Sequence, residues 1–243
     1  MEINQVYQED CIEGMKKIPS NSIDLVLTDP PYGITACEWD KLIDLEEFWV
    51  EIKRIIKPNG AIVMTASQPF TTDLINSNRE MFKYELIWEK EQASNFMNLK
   101  NEIGKIHENI IIFTNGKIEY NPQMIFCGKP SKSGGKNFIK THSNFKGGIP
   151  KREGALDRFP TSIIKFNRDR NGLHPTQKPV ELFKYLIKTY SNENQLVLDC
   201  FGGSGTTAIA CIETNRQYIL FENNPQYFKI INDRIQLAKS QTK

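Results

Sequence analysis

The chain has 243 residues with 31 basic and 29 acidic side chains, a net charge of +2, and is 39% hydrophobic and 25% charged. These values describe an ordinary globule, long enough for one α/β domain whose core needs no disulfide or metal staple. They exclude a uniformly basic nucleic-acid binder; no apolar run reaches the roughly 20 residues of a membrane helix, and the acidic N-terminus lacks a signal-peptide core.

Taken in chain order, residues 5–8 read as a short strand. Asp10 follows where a helix N-cap belongs, ahead of residues 11–15. Residues 22–28 (SIDLVLT) are dense in aliphatic and β-branched side chains, the texture of a buried parallel strand. The run halts at Asp29-Pro30-Pro31-Tyr32-Gly33, where two prolines forbid regular continuation. Residues 42–57 repeat apolar side chains at threes and fours, predicting a helix closed by Pro58-Asn59-Gly60. A strand at 61–65, a helix at 69–77 and strands at 84–88 and 109–114 come next. Between 117 and 170 the periodicity fades into glycine pairs, lysines, asparagines and serines. Alternation resumes with a helix at 179–190, a strand at 195–199, a helix at 205–214, a strand at 217–221 and a helix at 225–238. Strand and helix in alternation predict an α/β fold with a mostly parallel sheet. That domain spans residues 1–116 and 171–243, and an irregular insert covers 117–170; a stretch that long without regular structure is ordinarily functional.

Cys11, Cys37, Cys127, Cys200 and Cys211 scatter without a C-x-x-C pair, and the three histidines lie far apart. This argues against a zinc site or a disulfide framework and for a reducing, cytoplasmic setting. No metal is expected.

Two strand ends carry chemistry. Asp199-Cys200-Phe201-Gly202-Gly203-Ser204-Gly205-Thr206 leads from a strand into a helix. Glycines there let backbone N–H groups approach a ligand at the positive end of a helix dipole. Glu222 ends the next strand, where an acidic side chain can accept both hydroxyls of a ribose. Residues 203–208 formally match GxGxxA, so a nucleotide-binding oxidoreductase or a binding module is a reading from another class. A carboxylate at the strand tip suits a cationic ligand better than a pyrophosphate. That favours S-adenosylmethionine, with its ammonium and sulfonium. No GxxxxGK[ST] occurs, which excludes a P-loop.

Asp29-Pro30-Pro31-Tyr32 lies at the other strand end, where ligands bind in such sheets. Asp29 offers carboxylate acceptors, Pro30 a carbonyl with no N–H of its own, and Tyr32 a flat face for stacking. Two acceptors beside a stacking face suit an exocyclic amino group on a planar base.

Residues 25–33 (LVLTDPPYG) and 197–207 (VLDCFGGSGTT) together closely resemble the DNA amino-methyltransferases, which transfer methyl from S-adenosylmethionine to adenine N6 or cytosine N4. The catalytic motif comes first and the cofactor glycines last, similar to the beta arrangement of that family, a circular permutation of the usual order. His174-Pro175-Thr176-Gln177-Lys178-Pro179 resembles a further family motif, and residues 58–63 and 107–113 fall where family strands are expected. The resemblance covers the chain except 117–170, where the family places its target-recognition segment. Cys200 departs from the proline common at its position; a small buried residue keeps the turn, and amino methylation needs no nucleophile from it.

The resemblance implies a Rossmann-like S-adenosylmethionine-dependent methyltransferase fold with catalytic residues Asp29, Pro30, Pro31 and Tyr32. It implies that Asp199, Cys200, Phe201, Gly202, Gly203, Ser204, Gly205 and Thr206 line the cofactor, with Asp29 adjoining it, and that Glu222 with Asn223 takes the ribose. Asp10, with Cys11, corresponds to the acidic position near the cofactor's adenine, although an N-cap explains that aspartate equally well. His174, Thr176 and Lys178 approach the methionine end, Lys178 as partner for its carboxylate; His174 either orders the loop or touches the cofactor. The base would be flipped from the duplex, stacked on Tyr32 and held by Asp29 and the Pro30 carbonyl. Asp before Pro-Pro-Tyr is mostly associated with adenine N6 in the family, and Ser with cytosine N4. Adenine is therefore expected, with N4-cytosine the alternative and RNA or a protein amide further off. Double-stranded DNA is the expected partner, and the resemblance admits a homodimer and a cognate restriction endonuclease.

The small net charge conceals an asymmetry. Residues 117–170 hold twelve basic and four acidic side chains, a net +8, against 19 basic and 25 acidic elsewhere, a net −6. Lys129, Lys132, Lys136, Lys140, Lys146, Lys151, Arg152, Arg158 and Arg168 are the expected phosphate contacts. Phe138, His142 and Phe145 offer rings for wedging or stacking.

Overall fold

The computed structural model describes residues 1–34, 40–130, 154–169 and 177–241. In chain order the elements are β1 (Gln5–Tyr7), α1 (Cys11–Met15), β2 (Ile23–Thr28), α2 (Leu45–Ile55), β3 (Ile56–Ala66), α3 (Phe70–Ser77), β4 (Phe82–Glu89) and β5 (His107–Thr114). Then come β6 (Ile125–Phe126), β7 (Asp157–Arg158), β8 (Ile163–Lys165), α4 (Val180–Tyr190), β9 (Leu196–Asp199), α5 (Thr206–Glu213), β10 (Gln217–Phe221) and α6 (Pro225–Gln241). The chain divides into two compact units, residues 1–121 with 162–243 and residues 122–161.

The first unit is built on an eight-stranded sheet of order β1-β10-β9-β2-β3-β5-β4-β8. It is mostly parallel; among the described strands only β5 runs against its neighbours β3 and β4. Both faces are apolar, as a parallel sheet covered on two sides requires. Leu25, Leu27, Val63, Ile110 and Ile112 pack with Leu186, Ile187, Ala210 and Ile231 from α4, α5 and α6. Val26, Ile62, Met64, Ile111 and Phe113 turn the other way, towards Met15, Phe48, Ile52 and Leu74 from α1, α2 and α3. The two-residue alternation along each strand thus feeds two cores.

Three local features differ from the sequence expectations. The predicted helix at 42–57 is shorter, because Asp44 caps it by accepting from the Glu46 and Glu47 amides at 2.9 and 3.1 Å. Pro58-Asn59-Gly60 does not separate helix from strand. It sits inside β3, where the register against β2 jumps from Ile56 to Ala61, so the proline occupies a bulge and leaves no ladder bond unmade. Residues 162–169, read as part of the insert, belong to the first unit. Ile163–Lys165 adds an edge strand beside β4, and the Trp88 indole donates to the Phe166 carbonyl at 2.8 Å.

Among the described residues of the second unit, β6 pairs antiparallel with β7, with Arg158 opposite Ile125. Among the described residues no helix is long and apolar enough to cross a membrane, and no cluster of three metal-ligating side chains occurs.

Candidate active site

The carboxyl ends of β1, β10, β9, β2 and β3 lie along one edge of the sheet, and the antiparallel β5 begins there. A cavity of about 1240 Å³ opens along that edge. It brings together Asp10, Cys11, Asp29, Pro30, Pro31, Tyr32, Arg168, Lys178, Asp199 to Ser204, Thr206, Glu222 and Asn223. His174 and Thr176 lie outside the described residues, as do Lys132, Lys136, Lys140, Lys146, Lys151, Arg152, Phe138, His142 and Phe145. Lys129 and Arg158 are exposed on the second unit.

The notch after β2 is held from three sides. Tyr32 donates its hydroxyl to Asp29 Oδ1 at 2.7 Å, and the Thr65 hydroxyl donates to the same oxygen. Lys178 Nζ donates to Asp29 Oδ2 at 2.6 Å. Asp40 accepts from the amides of Tyr32, Gly33 and Ile34 at 2.8, 2.9 and 2.9 Å, which fixes the turn after the prolines. The Tyr32 ring stacks on Phe70 with centroids 5.6 Å apart, and Lys178 Nζ stands 5.5 Å from its centre. Burial drives the Tyr32 hydroxyl well above its usual range, and the charges of Asp29 and Glu108 add to this. Among the described residues no N–H or hydroxyl is paired with the Pro30 carbonyl, and Pro30 lines the cavity.

Lys178 also lies 3.4 Å from Glu108, and Lys90 donates to Glu108 at 2.8 Å. The result is an alternating chain of Lys90, Glu108, Lys178 and Asp29. Burial alone would lower the Lys178 ammonium, but Asp29 and Glu108 hold it above its ordinary value. Burial likewise favours a neutral Glu108, but Lys178 and Lys90 outweigh it and keep the carboxyl below its usual range. Lys178, expected to face the cofactor's carboxylate, lines the cavity and is held in this internal network by Asp29 and Glu108, its side chain only 6% exposed. Sequence reading missed Asp40, Thr65, Lys90 and Glu108. Nothing local marks them, because strand pairing and chain return alone bring Thr65 to Asp29, Asp40 to the turn amides, and Glu108 with Lys90 to Lys178.

The glycine turn is braced differently. Asp199 was expected to face a cationic ligand, but its carboxylate is tied inward. Thr28 donates to Oδ1 at 2.7 Å, the Phe201 amide donates to the same oxygen at 3.1 Å, and Thr207 donates to Oδ2. Burial raises its pKa to about 7, against the opposing hydrogen bonds of Thr207 and Thr28. It therefore clamps β9 to β2. Cys200 and Cys11 turn their thiols into the core and only adjoin the cavity wall, and burial pushes the Cys11 thiol up to about 12. Gly203 has φ +51° and Gly205 φ +81°, conformations that favour glycine. A Cβ at Gly205 would come within 2.9 Å of Ile231 on α6, so this glycine packs the turn and does not face the cavity. Arg234 reaches from α6 to the Ser204 carbonyl. Thr206 donates to the Lys178 carbonyl at 3.1 Å, joining the two halves of the site.

Glu222 accepts from the Gly203 amide at 2.7 Å and the Asn224 amide at 2.8 Å, one on each oxygen. Each oxygen keeps a second lone pair for a hydroxyl. Burial raises its carboxyl above the usual range, with the two amides opposing. Asp10 caps α1 by accepting from Ile12 and Glu13 at 2.9 and 3.2 Å, and it also borders the cavity. Both sequence readings of Asp10 are compatible with this position.

A glycine turn opening a helix, an acidic side chain ending the next strand and an acceptor-rich Asp-Pro-Pro-Tyr notch share one cavity. Together they define a nucleoside-cofactor enzyme that works on an amino group. The chain belongs to the N6/N4 DNA methylase family, whose model, described as DNA methylase, matches residues 23–233. The family transfers methyl from S-adenosylmethionine to DNA, and this protein is a methyltransferase of that kind. DNA adenine methyltransferase YhdJ of Escherichia coli (strain K12) is 29% identical, over 98% of this chain and 84% of the relative. Type II methyltransferase M1.MboII of Moraxella bovis is 26% identical, over 96% of each chain. The solved structure of M1.HpyAVI with SAM is 25% identical with a TM-score of 0.65, over 95% of this chain and 98% of that one. The cytosine-N4-specific PvuII methyltransferase superposes with a TM-score of 0.67 at 16% identity, a likeness of fold alone.

Proposed function

We propose that the protein methylates the exocyclic N6 of adenine in double-stranded DNA. The observation that carries the choice of adenine is the carboxylate of Asp29 at the head of the notch, beside the Pro30 carbonyl. The relative named DNA adenine methyltransferase supports the same reading.

The cavity fits S-adenosylmethionine. Glu222 has lone pairs directed past two backbone donors, and at Gly203 an added Cβ would meet only the Phe201 carbonyl, at 3.9 Å, so the turn is open there. Glu222 would take the ribose hydroxyls, Phe201 and the 202–204 backbone the neighbouring surface, and Asp10 the adenine end. When bound, S-adenosylmethionine supplies an electrophilic methyl group on a positive sulfur. Tyr32 presents its ring to the flipped base. Asp29 Oδ2 retains one lone pair beyond its bond to Lys178, and with the Pro30 carbonyl it accepts the two hydrogens of the target amino group. Those bonds draw the nitrogen towards sp³ geometry and direct its lone pair. They also stabilise the positive charge developing on nitrogen, in a site already organised before the reaction. The proton released from the methylated nitrogen passes to water.

The basic 117–170 segment is proposed as the target-recognition region, supported by its net +8 charge. A cognate restriction endonuclease is supported by the relatives named Type II methyltransferases. A homodimer rests on the family resemblance, and a cytoplasmic setting on the unpaired cysteines at 11, 127, 200 and 211. Sedimentation of the purified protein tests the dimer.

The deciding experiment is tritium transfer from labelled S-adenosylmethionine to duplex DNA, followed by nucleoside analysis. Label in N6-methyladenine supports the proposal. Label in N4-methylcytosine moves the assignment to that base, and label in no nucleoside rejects DNA as substrate. Modification mapping of DNA from an overexpressing strain then gives the recognised site.

A further inference from the structure

The segment between β4 and β5, residues 90–106, is pinned from within. The Ser94 amide and hydroxyl donate to the Lys105 carbonyl at 2.9 and 3.1 Å. The Lys105 amide donates to Asn95 Oδ1 at 2.7 Å, and the Asn95 side-chain amide donates to the Ile103 carbonyl at 3.0 Å. A single 3-10 turn, Phe96–Asn98, forms the tip. The backbone so tied holds apolar side chains in water: Phe96 is 68% exposed, Met97 84% and Ile103 94%. Leu99 and Ile106 are exposed on the same loop; scattered exposed apolar residues are ordinary, but five large ones displayed by one braced loop mark a contact surface.

Position and charge decide the occupant. Asn95 and Phe96 wall the same cavity as Asp29 and Tyr32, so the loop borders the opening through which a planar base must pass. Cations stand beside it. Lys105 and Arg168 line that cavity, Lys100 is exposed on the loop itself, and Arg168 is steadied by Glu91 and Gln92 at its base. An apolar tip flanked by cations matches a base stack bordered by phosphates.

We propose that Phe96, Met97 and Ile103 form a wedge that enters the DNA base stack as the target base leaves it. This rests on the DNA methylation reading above. Extruding a base forfeits its stacking and pairing, and apolar side chains inserted at the vacated step recover part of the stacking. Lys100 and Arg168 reach the adjoining phosphates. The loop is braced in advance, so little order has to be gained on binding.

The test uses the full-length protein and two synthetic duplexes carrying the mapped site. One is fully paired; in the other the target base faces an abasic position and already lies loose. Single-turnover methylation is measured for the wild type and for Met97→Ser/Ile103→Ser, two side chains that do not line the cavity. The wedge predicts at least about a tenfold slower rate for the variant on the paired duplex, and a rate within about threefold of wild type on the abasic one. Equal rates on the paired duplex overturn the wedge. So does an equal loss on both duplexes, and a sedimentation shift from dimer to monomer would then assign the patch to an interface between copies. A wild type that methylates neither duplex counts against the function beneath the wedge, and the wedge falls with it.

Discussion

The Lys178 ammonium stands 2.6 Å from the Asp29 carboxylate, inside the cavity proposed to receive the target amino group. One oxygen of Asp29 is filled by Tyr32 and Thr65, the other half-filled by Lys178. The lysine therefore sets the direction of the one lone pair left for chemistry. Replacing one member of a buried ion pair strands the rest. Lys178→Gln is expected to lower kcat at least about tenfold, with the cofactor dissociation constant changed less than about threefold. Calorimetry with S-adenosylmethionine checks the second half. A large loss of cofactor affinity with kcat retained would return Lys178 to the cofactor's carboxylate.

Asp29→Ala removes the acceptor itself. Methylation should fall by at least about 10³-fold, the scale of losing a preorganised group that meets developing charge. Cofactor binding should stay nearly unchanged. Retained methylation in this variant would sink the proposed role.

Glu222→Gln tests the ribose contact. Hydrogen bonds to a charged group contribute about 1.5–3 kcal/mol, so the cofactor should bind roughly ten- to a hundredfold more weakly. At saturating cofactor kcat should stay within a few-fold. Unchanged affinity would move the ribose elsewhere in the cavity.

Asp40→Ala should act at a distance from the chemistry. It leaves the amides of Tyr32, Gly33 and Ile34 without their acceptor. Part-buried donors left unpaired cost about 1–3 kcal/mol each where water cannot reach them. The expected outcome is a lower melting temperature together with a fall in kcat. Asp40→Asn, which keeps one acceptor oxygen, should restore part of both.

Asp199 makes a pH prediction. Its pKa is about 7 in the fold against 3.8 when free, because burial disfavours its charged form. A group whose folded pKa is raised contributes stability that is fully present below the unfolded value and is lost as pH rises through the folded value. Its contribution should therefore decline between about pH 4 and pH 7 and stay low above that. Thermal melts of wild type and Asp199→Asn across pH 5 to 8.5 should show the variant gaining at least about 3 °C relative to wild type at the alkaline end. Parallel curves would refute this.

The sheet and its helices were legible in the sequence where periodicity was strong. Ile110 to Phe113 and Leu25 to Leu27 alternate between two apolar faces, and nothing polar interrupts them. The notch and the glycine turn were legible because each is contiguous and ends a strand. The Ile163–Lys165 strand was not: three residues at a sheet edge carry no period, and pairing with β4 alone makes them a strand. The contacts around Asp29 were hidden. Glu108 reaches Lys178 only because β5 runs backwards, and Lys178, although singled out in the sequence, lies 149 positions from Asp29 with nothing local to pair the two. For Asp199 the residue was picked out but its direction was not, since the Thr28 and Thr207 hydroxyls that draw it inward lie on other elements.

The way the chain leaves and rejoins the sheet around residues 122–161 bears on how new specificities arise. Asn121 is anchored before the departure, its amide donating to the Thr189 carbonyl at 2.8 Å, and Ile163–Lys165 is stitched to β4 after the return. Both moorings belong to the catalytic unit. Whatever lies between them can lengthen, shrink or be exchanged for another lineage's version at a closure cost that grows only slowly with length. On the recognition role proposed for it, the intervening piece is a cassette that recombination can exchange, changing which DNA is marked while the methylating unit is inherited intact.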